Sequence, residues 1–108
     1  NYLVAFETLT KRFQNVRLLG AHSLSKILSF KPMTTNSHAA LIKFIEVFDT
    51  NINALKALEI PDLFDFFVLQ IGVRALPEAM RVEFENKNSS NATPKFADLI
   101  KFVQDQVR

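Results

Sequence analysis

The chain contains no cysteine and no tryptophan, and its 108 residues include only two glycines and four prolines. Without cysteine there is no disulfide framework, no thiolate metal site and no cysteine nucleophile, which suits a reducing compartment. So little glycine and proline leaves too few turns for a sheet of many short strands. The class this implies is all-α. No apolar run approaches the ~20 residues that cross a bilayer, so no membrane partner is expected. The opening NYLVAFETL lacks both a methionine and the basic-then-apolar order of a signal peptide, so the chain reads as a piece of a longer protein. Charge of one sign is also lacking, with 13 basic and 11 acidic residues. That balance does not indicate a nucleic-acid or membrane surface.

What is present is apolar. Hydrophobic residues make up 48% of the chain, including eleven phenylalanines and one tyrosine. Such a chain buries a core and is long enough for one domain over residues 1–108. The clearest periodicity runs from Ser37 to Ile60. There Leu41, Ile45, Phe48, Ile52 and Leu55 recur at steps of four and three, which places them on one face of a long helix. Asn36 or Ser37 caps its start and Pro61 stops its end.

Around this helix the spacing predicts shorter ones, six helices in all in a compact bundle. Leu3, Phe6, Leu9 and Phe13 stripe a helix over about 2–15, with a break at Asn15. A second runs over about 16–30, followed by a loop over 31–36 that contains Pro32. After Pro61, residues 63–76 are apolar nearly all round. A helix fits their length between prolines, and a strand over Phe66–Val73 is the competing reading. Pro77 then sits in the first turn of a helix that turns Met80 and Phe84 inward. The polar run 86–93 reads as a mobile loop. Thr93 and Pro94 start a last helix striped by Phe96, Leu99, Ile100, Val103 and Val107.

Catalytic constellations are poor. His22 and His38 fall in different elements without metal-ligand spacing, and the serines lack a nucleophile elbow. Asp62 and Asp65 lie where they oppose a helix dipole. No enzyme activity, cofactor or metal is expected. The aromatic load exceeds what a small core absorbs easily, and the surplus points to a partner surface. A fully internal core is the alternative.

One order of short motifs spans nearly the whole chain. It opens with Asn1-Tyr2, Ala5, Leu9, Arg12-Phe13, Asn15 and Arg17-Leu18. His22, Leu24 and Leu28 follow, then Ile52 with Ala54-Leu55 and Ala57-Leu58. Leu76-Pro77-Glu78 and then Phe96, Leu99 and Phe102 complete it. This order resembles the Gag region of BEL/Pao-type retrotransposons. One departure is the lack of any tryptophan in the helix after Pro77, where the family often has an aromatic; Phe84 stands in here. The resemblance implies an all-helical, retroviral capsid C-terminal-lobe-like domain with no catalytic residue, with residues 1–15 linking to an upstream lobe. In capsids of this kind two lobes assemble into shells around RNA, and the C-terminal lobe carries dimer or higher-order contacts.

The expected function is therefore structural: homo-oligomerisation and assembly of a retrotransposon or domesticated Gag particle. The partners are a second copy and the other Gag lobe, with RNA only indirectly through regions outside this chain. The setting is a cytoplasmic, intracellular particle, with a nuclear location left open. The candidate interface residues are Phe64, Phe67 and Gln70 on the apolar helix and Tyr2, Leu3 and Phe6 on the first. The alternative is a helical adaptor that binds a heterologous partner. A third class is nucleic-acid binding through Lys11, Arg12, Arg17 and Lys26.

Overall fold

The computed structural model describes residues 2–91 and 93–107. Asn1 of the opening motif, Ala92 of the polar run and Arg108 at the last helix's end lie outside them. Among the described residues there are five α-helices and no strand. They are α1 (Tyr2–Leu28), α2 (His38–Leu58), α3 (Leu63–Arg74), α4 (Glu78–Lys87) and α5 (Phe96–Gln106). The chain is all-α as expected, and the strand reading for Phe66–Val73 is overturned because those residues lie within α3.

The helix count is five and not six because the break expected at Asn15 does not occur. Asn15 and Gly20 each cost at most ~1 kcal/mol relative to alanine. With no proline in the segment, that is too little to end a helix. The chain forms two compact units. One takes residues up to Asn15 together with those from Pro61 onward, and the other is Val16–Ile60.

In the Val16–Ile60 unit, α2 begins where its sequence offers a cap. Ser37 is extended, and its hydroxyl accepts the Ala40 N–H at 3.2 Å. The helix ends at Leu58, two residues ahead of Ile60, with Glu59 in the left-handed region (φ 52°). Pro61 disfavours helical backbone at the residue before it, so the helix closes early. The buried residues of this unit are Gly20, Ser23 and Leu24 of α1 and Asn51 and Leu55 of α2. Asn51 turns its amide back to the Val47 carbonyl at 2.7 Å, which satisfies a polar group where water is excluded. Phe30, from the loop, sets its ring edge-on to Phe44 and Phe48, with centroids 5.8 and 5.3 Å away. The α2 stripe is core only at its C-terminal end. Leu55 is buried and Phe48 and Ile52 are half-buried, whereas Leu41 and Ile45 are exposed.

The other unit packs around Leu69, Phe84, Leu99 and Phe102, with Val73, Leu76, Met80, Phe96 and Val103 against them. Phe84 and Phe102 meet edge to face at 5.5 Å. Pro77 is the N-cap of α4, one position earlier than expected. The last helix begins at Phe96 and not at Thr93-Pro94. Two carboxylates set that start. Asp98 accepts the Lys95 N–H at 2.8 Å, and Asp65, from α3, accepts the Phe96 N–H at 3.1 Å. Both satisfy amides that a helix leaves unpaired at its N-terminus.

The polar run over 86–93 begins in the last turn of α4, which ends at Lys87, and its described residues continue as hydrogen-bonded turns. Asn88 donates to the Phe84 carbonyl at 3.0 Å, and the Asn91 side chain accepts the Thr93 N–H at 3.1 Å. The Gln14 amide donates to the Ser89 carbonyl at 2.9 Å and ties the first half of α1 to this turn.

Helices α3 and α5 approach closely at Gly72. A Cβ there would stand 2.6 Å from Leu99 Cδ2 and 3.6 Å from Phe96 Cε1. Leu99 is itself buried and has little room to yield. Gly72→Val should therefore destabilise the protein by about 1–3 kcal/mol despite a gain in helix propensity, read by chemical denaturation. Asp65→Ala should cost about 1–2 kcal/mol through the lost acceptor at Phe96, and Asp65→Asn, which keeps an amide oxygen, should recover most of it.

Candidate interaction surface

The rotation of α3 is set by what it buries. Phe66 and Leu69, three residues apart, are buried, and Val73 continues their side of the helix. That setting sends Phe64 to the opposite side, where it is 77% exposed. Ile71, seven residues on and half exposed, extends the same side. Phe67 and Gln70 fall between the two sides and are half-buried. The Phe67 ring lies 6.3 Å from that of Phe66. Asp62 starts the helix by accepting the Asp65 N–H at 3.2 Å from a left-handed backbone (φ 49°), which aspartate tolerates better than most residues.

The first half of α1 carries a second apolar face. Tyr2 is 85% exposed, and Leu3, Val4, Phe6 and Leu9 are also exposed. The three expected residues of α1 and the three of α3 thus occupy two separate helices. All three α1 positions and Phe64 are exposed, while Phe67 and Gln70 are only partly accessible. Sequence reasoning missed Ile71 and Leu9 as surface positions. Ile71 was readable from its seven-residue spacing to Phe64. Leu9 was readable from its three-residue spacing to Phe6 on the same stripe.

In the Val16–Ile60 unit, α2 exposes Leu41, Ile42, Phe44 and Ile45. Phe44, Ile45, Phe48, Asp49 and Ile52 line an open depression of about 350 Å³. Leu18 and Leu19 of α1 are exposed as well.

Polar chemistry is dispersed. His22 lies within α1 and His38 at the start of α2, and both are exposed. Among the described residues no group of three or more His, Asp or Glu side chains could hold a metal ion. Of the four basic residues weighed for nucleic acid, Lys11, Arg12 and Lys26 are exposed and Arg17 is half-buried. Lys87 pairs with Glu83 at 3.7 Å and sits 5.3 Å from the centre of the Phe102 ring. Both partners of that pair are about half exposed, so it contributes little to stability. No helix among the described residues is long and apolar enough to cross a membrane.

The arrangement defines an all-helical chain whose distinctive surface is apolar and aromatic. The chain belongs to the family described as protein of unknown function (DUF1759), whose model matches residues 1–93. That family is typical of retrotransposon Gag-like proteins. The match ends short of α5, which begins at Phe96. The chain matches no curated protein and no solved structure.

The outward and inward sides of α3 should respond differently to charge. Phe64→Asp should leave the helical circular dichroism and the denaturation midpoint nearly unchanged, within about 0.5 kcal/mol. Phe66→Asp buries an unpaired carboxylate and should unfold the C-terminal helices. Equal destabilisation by the two would mean that Phe64 is core.

Proposed function

We propose that this chain is a structural, capsid-like Gag domain of a BEL/Pao-type retrotransposon or a domesticated descendant, and that it acts by self-association. The observation that carries this reading is the pairing of family membership with exposed aromatic side chains on α1 and α3. Phenylalanine and tyrosine left in water on a helix face favour association, because covering them recovers about 25 cal/mol per Å². The domain corresponds to the C-terminal lobe of a capsid. Its partners are further copies and the other Gag lobe, and it meets RNA only through other parts of the polyprotein. It has no catalytic role. The particle is intracellular and cytoplasmic.

A second reading, a helical adaptor for a heterologous helix, draws support from the exposed flank of α2 and its depression beside Ile45. The two readings differ in solution mass. Light scattering over a concentration series should show the average mass rising from that of one 12.3 kDa chain toward two or more. A constant monomer mass at the highest concentration would remove the self-association reading of this chain and favour the adaptor.

A further inference from the structure

We propose that α2 pairs with α2 of a second copy as a two-fold, antiparallel helix pair. This rests on the self-association reading and adds to it a contact distinct from the aromatic faces of α1 and α3.

The Val16–Ile60 unit holds two helices, the second half of α1 and all of α2. The large apolar side chains buried in it are Leu24 and Leu55. Two helices do not enclose a core, so α2 keeps an apolar flank in water. On that flank Leu41, Ile42, Phe44 and Ile45 are between 38% and 56% exposed. A further helix is the element that fits such a flank.

The side chains along the flank select which helix. His38, Ile42, Ile45 and Asp49 follow one another at steps of four, three and four, and all four are exposed. That is the seam spacing of a helix that packs along another. The order runs from a hydrogen-bond donor through two isoleucines to a carboxylate, so the seam is complementary to its own reverse. With the two-fold axis between Lys43 and Phe44, His38 stands opposite Asp49 of the second copy and Ile42 opposite its Ile45. Symmetry makes each pairing twice. An imidazole N–H then donates to a carboxylate at either end of the apolar contact. Leu41 comes beside Ile45 and Phe48 of the second copy, which line the open depression on this side of α2. The two copies of Glu46 stand about 8 Å apart along the axis at ~1.5 Å per residue. A parallel, in-register pair would instead set Asp49 against Asp49 and Lys56 against Lys56, which is repulsive. A heterologous helix would have to carry the reversed pattern independently, whereas a second copy carries it by symmetry.

The contact is small. Four apolar side chains that are already half covered offer less than the ~1,600 Å² of a standard interface, so the pair is weak and reversible.

The experiment exchanges the two ends of the seam. Asp49→Lys removes the acceptor, and His38→Glu sets two carboxylates face to face. Both positions are exposed, and circular dichroism checks that each variant folds. By light scattering, each should raise the concentration of half-dimerisation about fivefold or more over that of the unmodified chain. An equimolar mixture of the two variants should recover the unmodified behaviour. One end of the mixed pair then joins the two introduced charges, and the other keeps His38 with Asp49. Ile45→Asp, in the apolar middle, should weaken dimerisation about tenfold or more. If the unmodified chain dimerises but the mixture recovers nothing, or the variants dimerise as well as the unmodified chain, this pairing is wrong while self-association stands. If the unmodified chain stays monomeric throughout, both fall.

Discussion

The contact between α3 and α5 is the constraint on which the C-terminal unit depends. It is fixed at two places. Near the start of α3, the Asp65 carboxylate holds the first amide of α5 at 3.1 Å. Two turns later, the bare Cα of Gly72 lets Leu99 come close enough to fill the space a side chain would need. One contact is directional and the other steric, so together they set both the spacing and the rotation of the pair. Leu69, Leu99 and Phe102 then close over Phe84, which is 1% exposed. Phe64 faces solvent for the same reason. Once Phe66 and Leu69 are committed inward, a residue two positions before Phe66 has to point away.

This explains what could be read from the sequence and what could not. Local signals were legible. A cap at Asn36 or Ser37, most of the helix expected from Ser37 to Ile60, and the inward Met80 and Phe84 all follow from spacing and capping chemistry. The readings that failed depended on partners distant in sequence. Thr93 and Pro94 look like a helix start, but Asp65, thirty-one positions before Phe96, supplies the acceptor that begins the helix later. Asp65 itself read as a dipole-opposing carboxylate, since nothing local shows that it reaches another helix. Asn15 read as a break because propensity alone was weighed, and a loss of under ~1 kcal/mol does not outweigh a continuous run of helix formers.

The apolar stripes teach a related lesson. Periodicity shows that a helix has an apolar face and says nothing about what covers it. On α2 the same stripe is buried at Leu55 and exposed at Ile45. On α1 it is buried at Ser23 and exposed at Tyr2. A chain of 12.3 kDa has a high ratio of surface to volume, and some apolar area remains outside any arrangement it adopts. What separates a functional face from this background is the kind and spacing of the exposed side chains. Isolated leucines such as Leu18 and Leu19 belong to the background. Under the self-association proposed for this chain, the ordered series of Tyr2, Phe6 and Leu9 along one face of α1 is the part that counts.

The anchoring of α1 bears on how such a face would work. Gln14 binds the Ser89 carbonyl at 2.9 Å from the flank of α1 that also carries Leu3 and Thr10. The segment is thus held to its own unit on that flank, while Tyr2, Phe6 and Leu9 are exposed. A helix already formed and held loses less conformational entropy on pairing than a segment that must fold as it binds. If the chain acts as the capsid-like domain proposed for it, many copies in one shell would need only weak pairwise contacts. Each contact raises the effective concentration for the next, so reversible pairing and a stable assembly are compatible.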